Sequence, residues 1–89
     1  MNELSFQQQA VLTAKLFRLG HESEASQHLF QCLNILENRH KDVLSSAQMH
    51  QTIGLALQAQ ENQDWLGLAD YLQYEMVNLV TVNELKLLE

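Results

Sequence analysis

Apolar residues recur every three or four positions along nearly the whole chain, which is the spacing of one face of an α-helix. The first predicted helix, residues 4–19, carries two such stripes, which together cover a wider arc than a surface helix buries. The stripes are Phe6, Ala10, Ala14 and Phe17, and then Leu12, Leu16 and Leu19 with Val11 beside them. This helix is therefore expected either to lie centrally in a bundle or to turn one face to the core and the other to a partner.

Three local signals predict where the helices begin and end. Gly20 follows the first stripe and takes the left-handed conformation that closes a helix at low cost. Ser45 or Ser46 is expected to cap a third helix, and Asp64 a fourth, because their side-chain oxygens accept from free amides of the first turn. The polar residues 61–63 supply the turn before the fourth helix.

These signals predict one fold class. The chain has no proline and three glycines in 89 residues, so it has few places to break a helix. We expect an all-α fold in which residues 1–89 form a single helical domain, a small antiparallel bundle of four helices built as two helical hairpins. Three helices are the alternative, if the second and third run together through Val43 and Leu44. The β-branched residues between positions 77 and 82 lower helix propensity, so the C-terminal end is expected to fray or bend.

Charge and composition narrow the function classes. Eleven acidic and five basic residues give a net charge of −6, which disfavours binding to nucleic acid and to anionic membranes. Cys32 is the only cysteine, so no internal disulfide is possible. The chain has no signal-peptide pattern and no apolar stretch of the length a bilayer crossing needs, so we expect a cytoplasmic protein. A small core with ample apolar side chains predicts a homodimer.

Few residues are arranged for chemistry. His28 and Cys32 are spaced for metal chelation, but a structural zinc site needs two further ligands, and Cys32 lies in an apolar stripe. Glu75 is expected to be a flanking residue that pairs with a neighbouring side chain. We therefore predict no catalytic residue, no metal and no cofactor. The alternative is a small ligand-binding or enzymatic helical bundle with a pocket between helices 2 and 4, using Glu75, His28 or Tyr71.

An aromatic cluster on the fourth helix predicts protein binding, because Trp, Tyr and Met are enriched at protein interfaces. The expected protein-binding residues are Trp65, Tyr71, Tyr74 and Met76, with Leu12 and Leu16 of the first helix. For Trp65 alone, the competing interpretation is a plug in the bundle core. The predicted function is that of a non-enzymatic cytosolic protein, an adaptor, chaperone or regulatory subunit, that binds another protein through an apolar helix face.

Residues 63–68 (Gln-Asp-Trp-Leu-Gly-Leu) and 71–75 (Tyr-Leu-Gln-Tyr-Glu) resemble segments of the small helical export chaperones of bacterial flagellar and type III systems. Those proteins are short, acidic and cytosolic, and they hold an aggregation-prone partner. The resemblance implies the same class of function for this chain. It assigns no individual functional residues.

Overall fold

The computed structural model describes residues 3–88, which form helices and no strands. The elements are α1 (Phe6–Arg18), α2 (Glu22–Arg39), α3 (Lys41–Leu44), α4 (Ala47–Glu61), α5 (Trp65–Asp70), a π-helical segment (Tyr71–Met76) and α6 (Val77–Leu87). The last three elements are continuous, and residues 65–87 are called the last helix below. The all-α class and the four long helices are confirmed. The three-helix alternative is not found, because α2 ends at Arg39 and the short α3 separates it from α4.

The predicted helix ends are also confirmed. Gly20 follows the end of α1 with φ +81°, a left-handed conformation that side chains with a Cβ rarely adopt. Ser46 caps α4, since its hydroxyl accepts from the backbone N–H of Met49 at 3.2 Å. Asp64 caps α5 by accepting from the backbone N–H of Gly67 at 3.0 Å. Each cap satisfies an amide that the helix itself leaves without a partner.

α1 is the helix around which the others are arranged. It packs against α2 and against all three parts of the last helix, while α4 packs against α5 and the π-helical segment. Its core-facing residues, each at most 1% exposed, are Phe6, Ala10, Ala14 and Phe17. The described part of the chain is flat, with extents of 40 × 33 × 17 Å. None of the helices in residues 3–88 combines the length and hydrophobicity needed to cross a membrane.

The C-terminal part of the last helix packs on its own bundle. Val80 is fully buried, and the helix continues to Leu87. The predicted fraying after residue 77 is therefore wrong, because burial against α1 and α3 outweighs the modest helix propensity of β-branched residues. Glu89 lies outside the described residues.

The π-helical segment has a cause in the spacing of the buried residues. Leu68, Leu72, Met76 and Val80 are buried and recur every four positions. In an α-helix with 3.6 residues per turn, each such step rotates the side chain by about 40°, so the row would drift away from the core. A π-turn holds more residues than an α-turn, because its hydrogen bonds reach five residues along the chain. The π-helical segment thereby keeps the row facing the core.

Deleting one residue from this segment tests that explanation. Removal of the exposed Glu75 shortens the spacing between Leu72 and Met76 from four residues to three. An ordinary α-helix can then keep all four buried residues on one face. We expect this variant to unfold cooperatively, with a thermal midpoint equal to or above that of the parent. The control is deletion of the exposed Gln51 in α4, where the buried residues already alternate in steps of three and four. That deletion should lower the midpoint strongly, and equal losses in both variants would contradict the explanation.

Candidate functional site

Large apolar side chains remain exposed on the outside of this bundle. Two of them, Leu12 at 36% and Tyr74 at 59%, belong to the predicted protein-binding set. Others on α1 and the last helix, or directly after their ends in the case of Leu19 and Leu88, are Val11, Leu19, Leu66, Val82, Leu85, Leu87 and Leu88. Exposed apolar surface of this kind marks interaction sites when it is clustered and rimmed by polar groups.

Arg18, at the end of α1, contacts three residues of the last helix. Its Nη2 donates to Oδ1 of Asp70 at 2.9 Å, and its Nη1 donates to Oε1 of Gln73. The guanidinium carbon lies 5.8 Å from the centre of the Tyr74 ring, within the range of a cation–π contact. We call these four residues the Arg18 cluster. It gives an exposed aromatic ring a set of polar neighbours, and two of its members lie in the π-helical segment.

A second set of hydrogen bonds joins the other ends of the same two helices. Nε2 of Gln7 donates to Oγ1 of Thr81 at 3.2 Å and to Oε1 of Glu84 at 2.6 Å. α1 and the last helix are thus held together near both ends of α1. The geometry favours a rigid surface between these points, since both helices bury their inner faces in the core.

The outer stripe of α1 consists of Gln8, Val11, Leu12 and Lys15. With Gln7, these residues line a shallow depression of about 500 Å³. The two apolar residues are about four-tenths exposed although α1 is the central helix. The expected central position is confirmed, since α1 packs against neighbours on two sides. Its second apolar face is exposed to solvent, and the contact of that face with a partner stays a prediction.

The remaining predicted binding residues lie deeper. Trp65 stacks on Phe17 with ring centres 5.6 Å apart and planes within 9°, which supports its interpretation as a core plug. Tyr71 and Leu16 are half-buried against the core. Met76 is 1% exposed, so the surface proposed below omits it. The sequence interpretation placed Met76 at an interface from its residue type alone, and it missed Arg18, for which only a favourable position at a helix end was visible.

His28 and Cys32 each bond to α1 instead of sharing a ligand. Nδ1 of His28 lies 2.8 Å from Nε2 of Gln9, and Sγ of Cys32 lies 3.4 Å from Oγ1 of Thr13. These pairs form two successive polar contacts between α1 and α2. Within residues 3–88, no group of three or more His, Cys, Asp or Glu is placed to hold a metal ion.

The alternative function needs a pocket between the predicted second and fourth helices, which correspond to α2 and the last helix. The positions of its three residues do not support such a pocket. His28 of α2 faces α1, Tyr71 packs against the core, and Glu75 is exposed on the last helix. α1 packs against both α2 and the last helix. The three residues named for that pocket therefore lie in different places and do not face a common cavity.

Comparison of the chain with protein-family models, with curated proteins and with solved structures finds no match. The likeness to export chaperones consequently stays a prediction from residues 63–75.

Replacing Phe17 with alanine tests the assignment of Trp65 to the core. Loss of a buried, stacked phenylalanine should lower the free energy of unfolding by about 3–5 kcal/mol. It should also shift the Trp65 fluorescence to longer wavelength, because water gains access to the indole. Phe30→Ala is the control, since Phe30 is 67% exposed and its loss should change stability by less than about 0.5 kcal/mol. Similar effects of the two substitutions would rule out the core assignment.

The buried thiol gives the fold a dependence on alkaline pH. Burial raises the pKa of Cys32 from 9.0 to about 11, and the hydrogen bond between Cys32 and Thr13 acts in the opposite direction. The unfolded chain loses this proton at lower pH than the folded chain, so stability present below about pH 9 is lost as pH rises toward 11. Between about pH 8 and pH 11, the parent should lose about 2 kcal/mol more unfolding free energy than Cys32→Ala. Parallel denaturation curves for the two proteins would contradict this.

Proposed function

We propose that this chain is a non-enzymatic protein-binding module, an adaptor, chaperone or regulatory subunit, that acts in the cytoplasm. Its binding surface is the exposed outer side of the last helix around Tyr74, together with the adjoining outer stripe of α1. Self-association as a homodimer is part of the proposal.

The Arg18 cluster is the observation that carries this proposal. Tyr74 exposes 59% of its surface on a helix whose inner side is fully packed. An exposed tyrosine offers a large rigid area with a polar end, and arginine and tyrosine are the residue types most enriched among binding hot spots. Leu66 and Leu85, 63% and 59% exposed on the same helix, extend the apolar area.

The rim of this surface has the polar character that transient interfaces share. Asp70 and Gln73 accept hydrogen bonds from Arg18, which lies beside the Tyr74 ring, and Glu84 lies farther along the last helix. A polar rim around an apolar centre favours reversible association over permanent burial. That property fits an adaptor or a chaperone that releases its partner, the class to which the resemblance in residues 63–75 points.

Affinity capture with single-site variants tests the proposal. Tagged parent protein is incubated with lysate of the native cells, and the proteins recovered with Tyr74→Ala and Leu66→Asp are compared with those recovered with the parent. We expect both substitutions to reduce recovery of a partner at least tenfold, because each removes an exposed contact without touching the core. Tyr71→Ala is a poor probe, since Tyr71 packs against the core. Phe30→Ala removes an exposed aromatic residue from α2 and should leave recovery unchanged. Unchanged recovery with both test variants would remove the proposal.

A further inference from the structure

We propose that the outer stripe of α1 pairs with the same stripe of a second copy, antiparallel, about a two-fold axis that passes between Val11 and Leu12. This inference rests on the self-association included in the proposed function. It assigns the α1 part of the proposed surface to self-association and leaves the part around Tyr74 for a different partner.

The order of residues along the stripe is self-complementary. In an antiparallel pair centred between Val11 and Leu12, Val11 of each copy lies opposite Leu12 of the other. Gln8 of each copy then lies opposite Lys15 of the other. A two-fold interface needs such a match, because the same patch must serve both sides. Apolar residues meet at the centre, and polar residues meet at both ends.

Charge permits contact between copies along this surface. The chain carries eleven carboxylates and a net charge of −6, so two copies repel each other over most of their surface. The thirteen residues of α1 contain no Asp or Glu. Two copies can therefore meet along α1 without opposing carboxylates on the paired helices.

The polar pair at each end is chemically compatible. Oε1 of Gln8 accepts from the backbone N–H of Ser5 at 2.9 Å, as part of the cap of α1. An amide oxygen has two lone pairs, so the same atom can accept a second hydrogen bond, from Nζ of Lys15 in the other copy. The exposed Lys15 contributes the donor and leaves no unpaired charge at the centre of the contact.

The size of the stripe sets the strength of the dimer. Thirteen helical residues span about 20 Å, so a contact along one helix falls at the small end of specific interfaces. We therefore expect a dimer that dissociates on dilution. Sedimentation velocity or light scattering on untagged protein, over a dilution series, measures its dissociation constant.

Substitutions at Gln8 test the antiparallel register. Gln8→Glu places a carboxylate opposite Lys15 twice in each dimer and should tighten the dimer about threefold to tenfold. Gln8→Lys places like charges opposite each other and should weaken it by a similar factor. Combining Gln8→Lys with Lys15→Glu places opposite charges across the contact again and should return the affinity to the parent value or above it. If net charge alone governed association, the effects of the two single substitutions would be reversed, because Gln8→Glu makes each copy more negative.

A substitution at the centre of the stripe tests the surface itself. Leu12→Asp should weaken the dimer at least tenfold, since each dimer contains this residue twice. The matched control is Leu57→Asp on α4, where the leucine is 46% exposed, and it should leave the dissociation constant unchanged. Circular dichroism melting checks that every variant is folded.

Three results would overturn the inference: a monomer at every concentration, a dimer that survives Leu12→Asp, or Gln8 variants that follow net charge. Loss of partner capture in Tyr74→Ala with an intact dimer would support both this inference and the proposed function. Loss of the dimer in Leu12→Asp with partner capture retained would also support the inference, because it would separate self-association through α1 from binding at Tyr74.

Discussion

α1 packs against two separate partners, α2 on one side and the last helix on the other, and both packings use a single buried face. Two alanines lie between two phenylalanines on that face. The small alanine side chains allow the neighbouring helices to approach closely at the middle of the face, and the phenylalanine rings fill the space between the helices at its ends. The apolar residues of the face are Phe6, Ala10, Ala14 and Phe17, and the buried Gln9 and Thr13 complete it on the side of α2. Because the first and last helices of the chain are joined here, a change in this face would disturb the core and the outer surface together.

The π-helical segment links this core to the exposed site. It keeps the buried row of the last helix facing inward, and it also contains Gln73 and Tyr74, which Arg18 contacts from α1. The same local irregularity thus serves packing on one side of the helix and presentation of a tyrosine on the other. This accords with the frequent occurrence of π-turns at functional positions.

Features set by neighbouring residues could be predicted from the sequence, and features set by contact between distant residues could not. Gly20, Ser46 and Asp64 act through their own backbone geometry or through amides three residues away, so local chemistry was sufficient to place the helix ends. The second apolar stripe of α1 was also visible from periodicity. Met76 was misplaced because residue type does not say which side of a helix faces the core. The Arg18 cluster joins positions more than fifty residues apart, and no local pattern specifies such a contact.

The last helix covers one side of α1, and this packing has a consequence for folding during synthesis. Synthesis proceeds from the N-terminus, and domains complete their folding as their parts emerge. α1 and α2 can pair early, but the side of α1 that receives the last helix stays open until residues 65–87 have left the ribosome. During that interval Phe17 lacks Trp65, its stacking partner. A chain that has not yet added residues 65–87 therefore carries an exposed apolar side on α1, and that side is covered only when the last helix packs against it.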